Sequence, residues 1–199
     1  MRENIINKAT ELFLTLGFKS VTMDDIANEM GISKKTIYVH FENKTKLVEA
    51  TTLEMFELIA QGIDHICVLE KNPIEEIHDI KKLVLEHLKD EASSPYHQLQ
   101  KYYPKIFNSL RSKQYGLMED CVAGNLNRGI ALGLYRDNLE VEFISKIYFT
   151  CIMALRDNQL FPLSNFSMSS LMNHYLEYHV RGICTPKGLK FLTKINNQS

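Results

Sequence analysis

The sequence predicts an all-α protein in two parts, a small N-terminal helix-turn-helix and a larger C-terminal helical region. Three observations carry the prediction. Apolar residues recur at spacings of three and four almost throughout. Residues 22–41 hold a helix start, a Gly-containing turn and a second helix start at the spacing of a helix-turn-helix. The 199 residues, 45% hydrophobic and 24% charged, are ordinary globular values with enough mass for a proper core.

Each element follows from local chemistry. Ile5, Ile6, Ala9, Leu12, Phe13 and Leu16 repeat at helical spacing, and Gly17 stops that helix. Thr22 and Asp25 have the spacing of a capping box, with Asp replacing the usual Glu or Gln, and open a second helix with Ile26, Ala27 and Met30 inward. Gly31 follows where a turn needs a left-handed residue. Ser33 caps a third helix running to about residue 41. Asn43 caps a fourth, whose Leu47, Val48, Met55, Leu58 and Ile59 continue toward Ile66. Beyond it, Pro73 opens a helix to about residue 91, and Ser93-Ser-Pro95 breaks it. Residues 96–115, with Tyr102-Tyr-Pro104, look irregular, and helices are expected over about 115–134, 139–160 and 169–183. Residues 195–199 look like a frayed tail.

Charge narrows the functions. The net charge of −1 advertises no global affinity for nucleic acid. Residues 33–46 nevertheless carry Lys34, Lys35, Lys44 and Lys46 against Glu42 alone. The third helix has one narrow apolar edge, Ile37 and Phe41, and the rest of it is polar. Such a face is of no use to a core. In a helix-turn-helix the second helix enters the DNA major groove, where Lys donates to guanine O6 and N7 and Thr meets bases or a thymine methyl. The helix N-termini at Thr22 and Ser33 suit phosphate, and Tyr38 can reach one through its hydroxyl. Lys44, in the first turn of the fourth helix, opposes the helix dipole, a placement a nearby phosphate would explain.

Residues 22–41 together with Asn43-Lys-Thr-Lys-Leu47 resemble the DNA-binding signature of TetR-type transcriptional regulators, and the preceding helix with Gly17-Phe18 resembles that family's first helix. The resemblance covers about 55 residues at specific motifs. It implies an all-helical homodimer, with residues 1–50 as a three-helix DNA-binding domain and residues 51–199 as the ligand-binding and dimerisation domain. By position, Lys34, Lys35, Thr36 and Tyr38 would face the groove of double-stranded operator DNA, and Thr22, Ser33, His40 and Lys44 would contact its backbone. Val39 departs from the family's usual aromatic or larger polar residue and is left out of base reading. The sequence from Arg128-Gly-Ile to Gly133-Leu-Tyr-Arg-Asp is similar to the end of a core helix in many such ligand domains, and the last two long helices of each subunit would pair between subunits.

A small-molecule effector is a further expectation. Tyr102, Tyr103, Phe107, Met118, Cys121, Met153 and Phe161, with Arg156 as a possible anchor, suit an adaptable apolar lining if they converge, and core packing explains each equally well. Arg156-Asp157 reads as an ion pair, a dimer contact or a ligand anchor. No metal or cofactor is expected. The histidines show no ligand spacing, and His174 and His179 lie about 140° apart around a helix. Glu75, Glu76, Glu140 and Glu142 read as partners of helix dipoles. No nucleophile elbow, phosphate loop or dinucleotide fingerprint is present, so an enzyme is not expected. The widely spaced cysteines 67, 121, 151 and 184 read as reduced thiols, and no apolar run is long enough for a membrane span or signal peptide, which points to the cytoplasm. The rival from another class is a helical interaction protein whose helix-turn-helix binds protein and shows no salt-dependent binding to DNA.

Overall fold

The computed structural model describes residues 1–88, 95–162 and 164–196. Among them the helices are α1 (Arg2–Leu16), α2 (Met23–Glu29), α3 (Lys34–His40), α4 (Lys44–Val68), α5 (Pro73–Leu88), α6 (Pro95–Tyr102), α7 (Pro104–Ala131), α8 (Val141–Ala154), α9 (Met168–Ile183) and α10 (Pro186–Asn196). The one β-type contact among the described residues is an antiparallel bridge between Tyr135 and Cys184. The chain forms two compact units, residues 1–59 with 88–113, and residues 60–87 with 114–199.

The first unit is built on an apolar core. Helices α1, α2 and α3 pack on one another. Ile5, Ile6, Ala9, Leu12 and Phe13 of α1 meet Phe18, Val21, Met23, Ile26, Ala27, Ile37, Phe41, Leu47 and Val48. Full burial of side chains such as Ile26, Ile37 and Leu47 contributes about 1.5–3 kcal/mol each. Leu99 of α6 and Phe107 of α7 enter the same core, with Tyr96, Tyr103, Ile106 and Leu110 against it. The ring of Phe18 lies 5.0 Å from Phe13 and 6.1 Å from Tyr103. Gly17, at φ 83°, has a second reason to be glycine, because a Cβ there would sit 2.3 Å from the Gln98 amide.

Helical order in this unit extends further than the sequence suggests. Residues 96–115, expected to be irregular, form α6 and the start of α7. Tyr96, Leu99, Tyr103, Phe107 and Leu110 lie at steps of three and four, so the apolar face was present in the sequence. Pro104 concealed it, yet Pro at the first position of a helix lacks only an N–H that would have no helical partner there.

The second unit mixes apolar and polar burial. Ile74, Leu126, Leu134, Tyr135, Val180, Ile183, Cys184 and Leu192 form one cluster, and Leu155, Leu171 and Met172 another. Glu76 stands in the first turn of α5, as expected of a partner of its dipole, and is fully buried. Its carboxylate accepts from the Asn125 amide at 2.8 Å and pairs with the Arg128 guanidinium. Asn125 also donates to the Pro73 carbonyl at 2.9 Å and accepts from the Tyr135 hydroxyl at 3.0 Å. Gly133, at φ 65°, ends α7 and turns the chain so that Tyr135 reaches this network.

Two boundaries differ from expectation in this unit. The helix expected over 139–160 is α8, ending at Ala154, and the Asp157 side chain accepts from the Gln159 N–H in the turns that follow. A further helix, α10, occupies most of what was left without structure after residue 183. Its signal was Thr185-Pro186, since Thr185 Oγ1 accepts from the Gly188 N–H at 3.2 Å. Of the tail expected to fray, Ile195 packs on the core and residues 197–199 lie outside the described residues, as does the expected end of α5 near residue 91.

Candidate nucleic-acid interface

The site is the outer face of α3 with the two helix starts beside it. At the first start, Thr22 Oγ1 accepts from the Asp25 N–H at 3.2 Å, and Asp25 Oδ2 accepts from the Thr22 N–H at 2.8 Å, completing the capping box. The same carboxylate accepts from the Thr22 hydroxyl at 2.8 Å. These bonds, the backbone one foremost, hold the Asp25 carboxyl below its ordinary range. Gly31, at φ 63°, lets the Ile32 N–H turn back to the Ala27 carbonyl at 3.0 Å. At the second start, Ser33 Oγ accepts from the Thr36 N–H at 3.1 Å and its hydroxyl lies 2.8 Å from that of Thr36.

α3 is divided as its sequence implies. Ile37 is fully buried, and Phe41 just beyond the helix is buried beneath the Arg2 guanidinium, 5.2 Å away. Lys34, Lys35, Tyr38, Val39 and His40 are exposed and Thr36 is half-buried. Lys34 is held by Asp24 at 2.6 Å. Lys35 makes no ion pair among the described residues. Val39, which sequence reasoning set aside, is 74% exposed. An isolated exposed valine is an unremarkable signal in a sequence, and its placement on this face distinguishes it.

Lys44 is explained from within the chain. It is half-buried, and its ammonium donates to the Phe18 carbonyl at 2.5 Å. Burial lowers its pKa, and the Asp25 charge opposes that shift. A cation in the first turn of α4 therefore needs no phosphate to account for it. Asn43 caps α4, its side-chain oxygen accepting from the Lys46 N–H at 3.0 Å, and Lys46 pairs with Glu49 at 2.8 Å.

The expected effector lining is not gathered into one unit. Tyr102, Tyr103 and Phe107 belong to the first. Tyr102 is exposed between Lys19 and Lys101, while Tyr103 and Phe107 pack with the core beneath α1. Their packing is that expected of core residues. Met118, Cys121, Met153 and Arg156 belong to the second unit. That unit holds an aromatic group the sequence did not single out: the Tyr148 ring lies 5.0 Å from His179 and 5.8 Å from Tyr175. Burial pushes the His179 imidazole down to about 4. His174 is exposed while His179 is buried, as their angular separation requires. No group of three or more metal-ligating side chains occurs among the described residues.

A buried three-helix core that turns a polar, lysine-bearing helix outward defines a helix-turn-helix DNA-binding transcriptional regulator. Residues 5–51 match the family described as "Bacterial regulatory proteins, tetR family". The match covers the helix-turn-helix segment and the helix before it. It is 34% identical over 59 residues to the biofilm operon negative transcriptional regulator IcaR of Staphylococcus aureus, a match covering 30% of this chain and 32% of that protein. It is 22% identical over 177 residues to the nucleoid occlusion factor SlmA of Mannheimia succiniciproducens, covering 88% of this chain and 72% of that one. A TetR-family regulator from Marinobacter aquaeolei shares the fold over 100% of this chain and 98% of its own, with TM-score 0.76 at 17% identity. No helix among the described residues is long and apolar enough to cross a membrane.

Proposed function

We propose that the chain is a dimeric, one-component repressor that binds operator DNA in the cytoplasm and is released from it by a partly apolar small molecule. DNA recognition is assigned to residues 1–50, and effector binding and pairing to residues 51–199. The observation that carries the reading is the division of α3, with Ile37 in the core and Lys35, Tyr38 and Val39 in solvent. Lys34, Lys35, Thr36 and Tyr38 face the groove, Val39 offers a thymine methyl an apolar contact, and Thr22, Ser33 and His40 hold the backbone. Repression, and not activation, is favoured by the likeness to a negative regulator.

Dimerisation is assigned to the outer faces of α8 and α9, where Phe143 and Tyr178 are 62% and 79% exposed and Ile147, one turn from Phe143, is exposed too. Leu155, Leu171 and Leu176 are buried within their own unit, so charge placed there would damage folding before it tested pairing. Phe143→Glu with Tyr178→Glu should give folded monomers by sedimentation, and an intact dimer would move the interface elsewhere. The effector is assigned to the second unit, near Met118, Cys121, Met153 and Arg156, and no catalytic step is assigned to the chain. α4 supplies one continuous helix from Lys44 to Val68 through which occupancy can act. A ten-fold loss of operator affinity requires about 1.4 kcal/mol of coupling, and DNA must weaken the effector by the same factor.

Footprinting on the DNA flanking the protein's own gene tests the central reading. Lys35→Ala should cost roughly 1–3 kcal/mol and relax preference at one position. Lys44→Ala should weaken all sequences alike and lower the salt slope by about one if the ammonium also meets phosphate. An unchanged slope with lower thermal stability would make Lys44 a brace alone. Absence of salt-dependent DNA binding would return the molecule to the class of protein-interaction modules.

A further inference from the structure

We propose that Cys67 and Cys121 are an oxidisable pair that closes to an intramolecular disulfide when Cys67 meets a hydroperoxide. The inference goes beyond the DNA-binding reading and does not depend on it. The two sulfurs lie 3.4 Å apart, one near the C-terminal end of α4 and the other midway along α7, both within the second unit. A disulfide needs about 2.05 Å, so rotation of the side chains toward one another has only a short gap to close. Both cysteines are free, and both residues are partly exposed. Cys184, by contrast, is buried at the bridge to Tyr135.

The surroundings make the pair unequal. Burial raises both thiols above their ordinary value, Cys121 much further than Cys67. The bond from Cys121 and the charge of Arg128 favour the Cys67 thiolate, while Glu76 and Asp64 oppose it. Cys67 stands at the end of α4 beside the exposed Val68 and Leu69, and is the attacking sulfur. Its thiolate attacks the peroxide, an S–O bond forms as the O–O bond breaks, and the alkoxide or hydroxide leaves with the proton. The Cys121 thiol then attacks the resulting sulfenic acid, the S–O bond breaks, and water leaves as the S–S bond forms. In sum two thiols and one hydroperoxide give one disulfide, one alcohol (or water) and one water. Because neither thiol is acidified overall, the reaction is slower than that of a dedicated peroxidatic cysteine, which suits a pair that responds to sustained oxidant.

Reduced full-length protein, treated with hydrogen peroxide and then iodoacetamide, tests the proposal. Two of the four cysteines should resist alkylation, and a non-reducing digest should hold a peptide joining residues 67 and 121 that dithiothreitol separates. The cross-link closes a loop across 54 positions, so the oxidised protein should melt roughly 4–16 °C higher. Cys121→Ser should trap a sulfenic acid at Cys67 that dimedone labels, while Cys67→Ser should give no label at Cys121. Cys151→Ser and Cys184→Ser should keep the cross-link. Four alkylated cysteines after treatment that fully oxidises free cysteine, or a disulfide joining other residues or two chains, would overturn the proposal, and the unsubstituted protein alone decides between these results.

Discussion

The two units solve burial in opposite ways. In the first, the buried set among the described residues is apolar except for Thr51, whose hydroxyl returns to the Val48 carbonyl of its own helix at 2.9 Å. In the second, Glu76, Asn125, Ser145 and His179 are buried as well, and Glu76 and Asn125 are satisfied by partners some fifty positions away. An apolar core tolerates any partner of suitable shape, whereas a buried carboxylate needs particular donors in particular places. The first unit is thus specified by pattern, and the second by a few long-range polar contacts.

The largest break in that comparison should come from Glu76→Ala. It leaves Arg128 and Asn125 without their carboxylate and should cost about 3–5 kcal/mol in denaturant unfolding, toward the lower end because Arg128 is partly exposed. Ile37→Ala in the first unit should cost about 2–5 kcal/mol through burial and cavity alone. The two variants should differ in kind as well, with Asn125→Ala coupled strongly to the first and additive with the second. Additive behaviour with Glu76→Ala would mean that the polar network is not a cooperative unit.

His179 sharpens the contrast through pH. Its folded value of about 4 lies below the ordinary value of 6.5, so the unfolded chain binds the proton more readily between them. The stabilisation of the neutral folded form is complete above about pH 6.5 and is lost as pH falls toward 4, on the order of 3 kcal/mol in all. His179→Gln should flatten that part of the stability profile, and a profile unchanged by the substitution would place the acid sensitivity elsewhere. The smallest effect is expected at the surface of the first unit. Thr22→Ala removes the acceptor for the Asp25 N–H and should cost about 1 kcal/mol, measured by thermal unfolding.

What could be read in advance follows the same division. The capping box at Thr22, the turn at Gly31, the cap at Ser33 and the outward face of α3 all arise from contacts a few residues apart, and each was legible in the sequence. So was the apolar face of α6, although Pro104 concealed it. The partner of Lys44 within the chain was not legible, because the Phe18 carbonyl lies 26 positions away. The burial of Glu76 was hidden for the same reason, since nothing near it in the chain signals Asn125 or Arg128.

By itself, then, the sequence determined where the helices of the first unit start and stop and which way α3 turns, because caps, turns and helical periodicity act between neighbours along the chain. Only the tertiary structure decided that Leu99 and Phe107 complete the first core, that Glu76 is buried, and that Cys67 stands beside Cys121. Those contacts join segments tens of residues apart, and the free energy that selects them is gained only when the packed units exclude water.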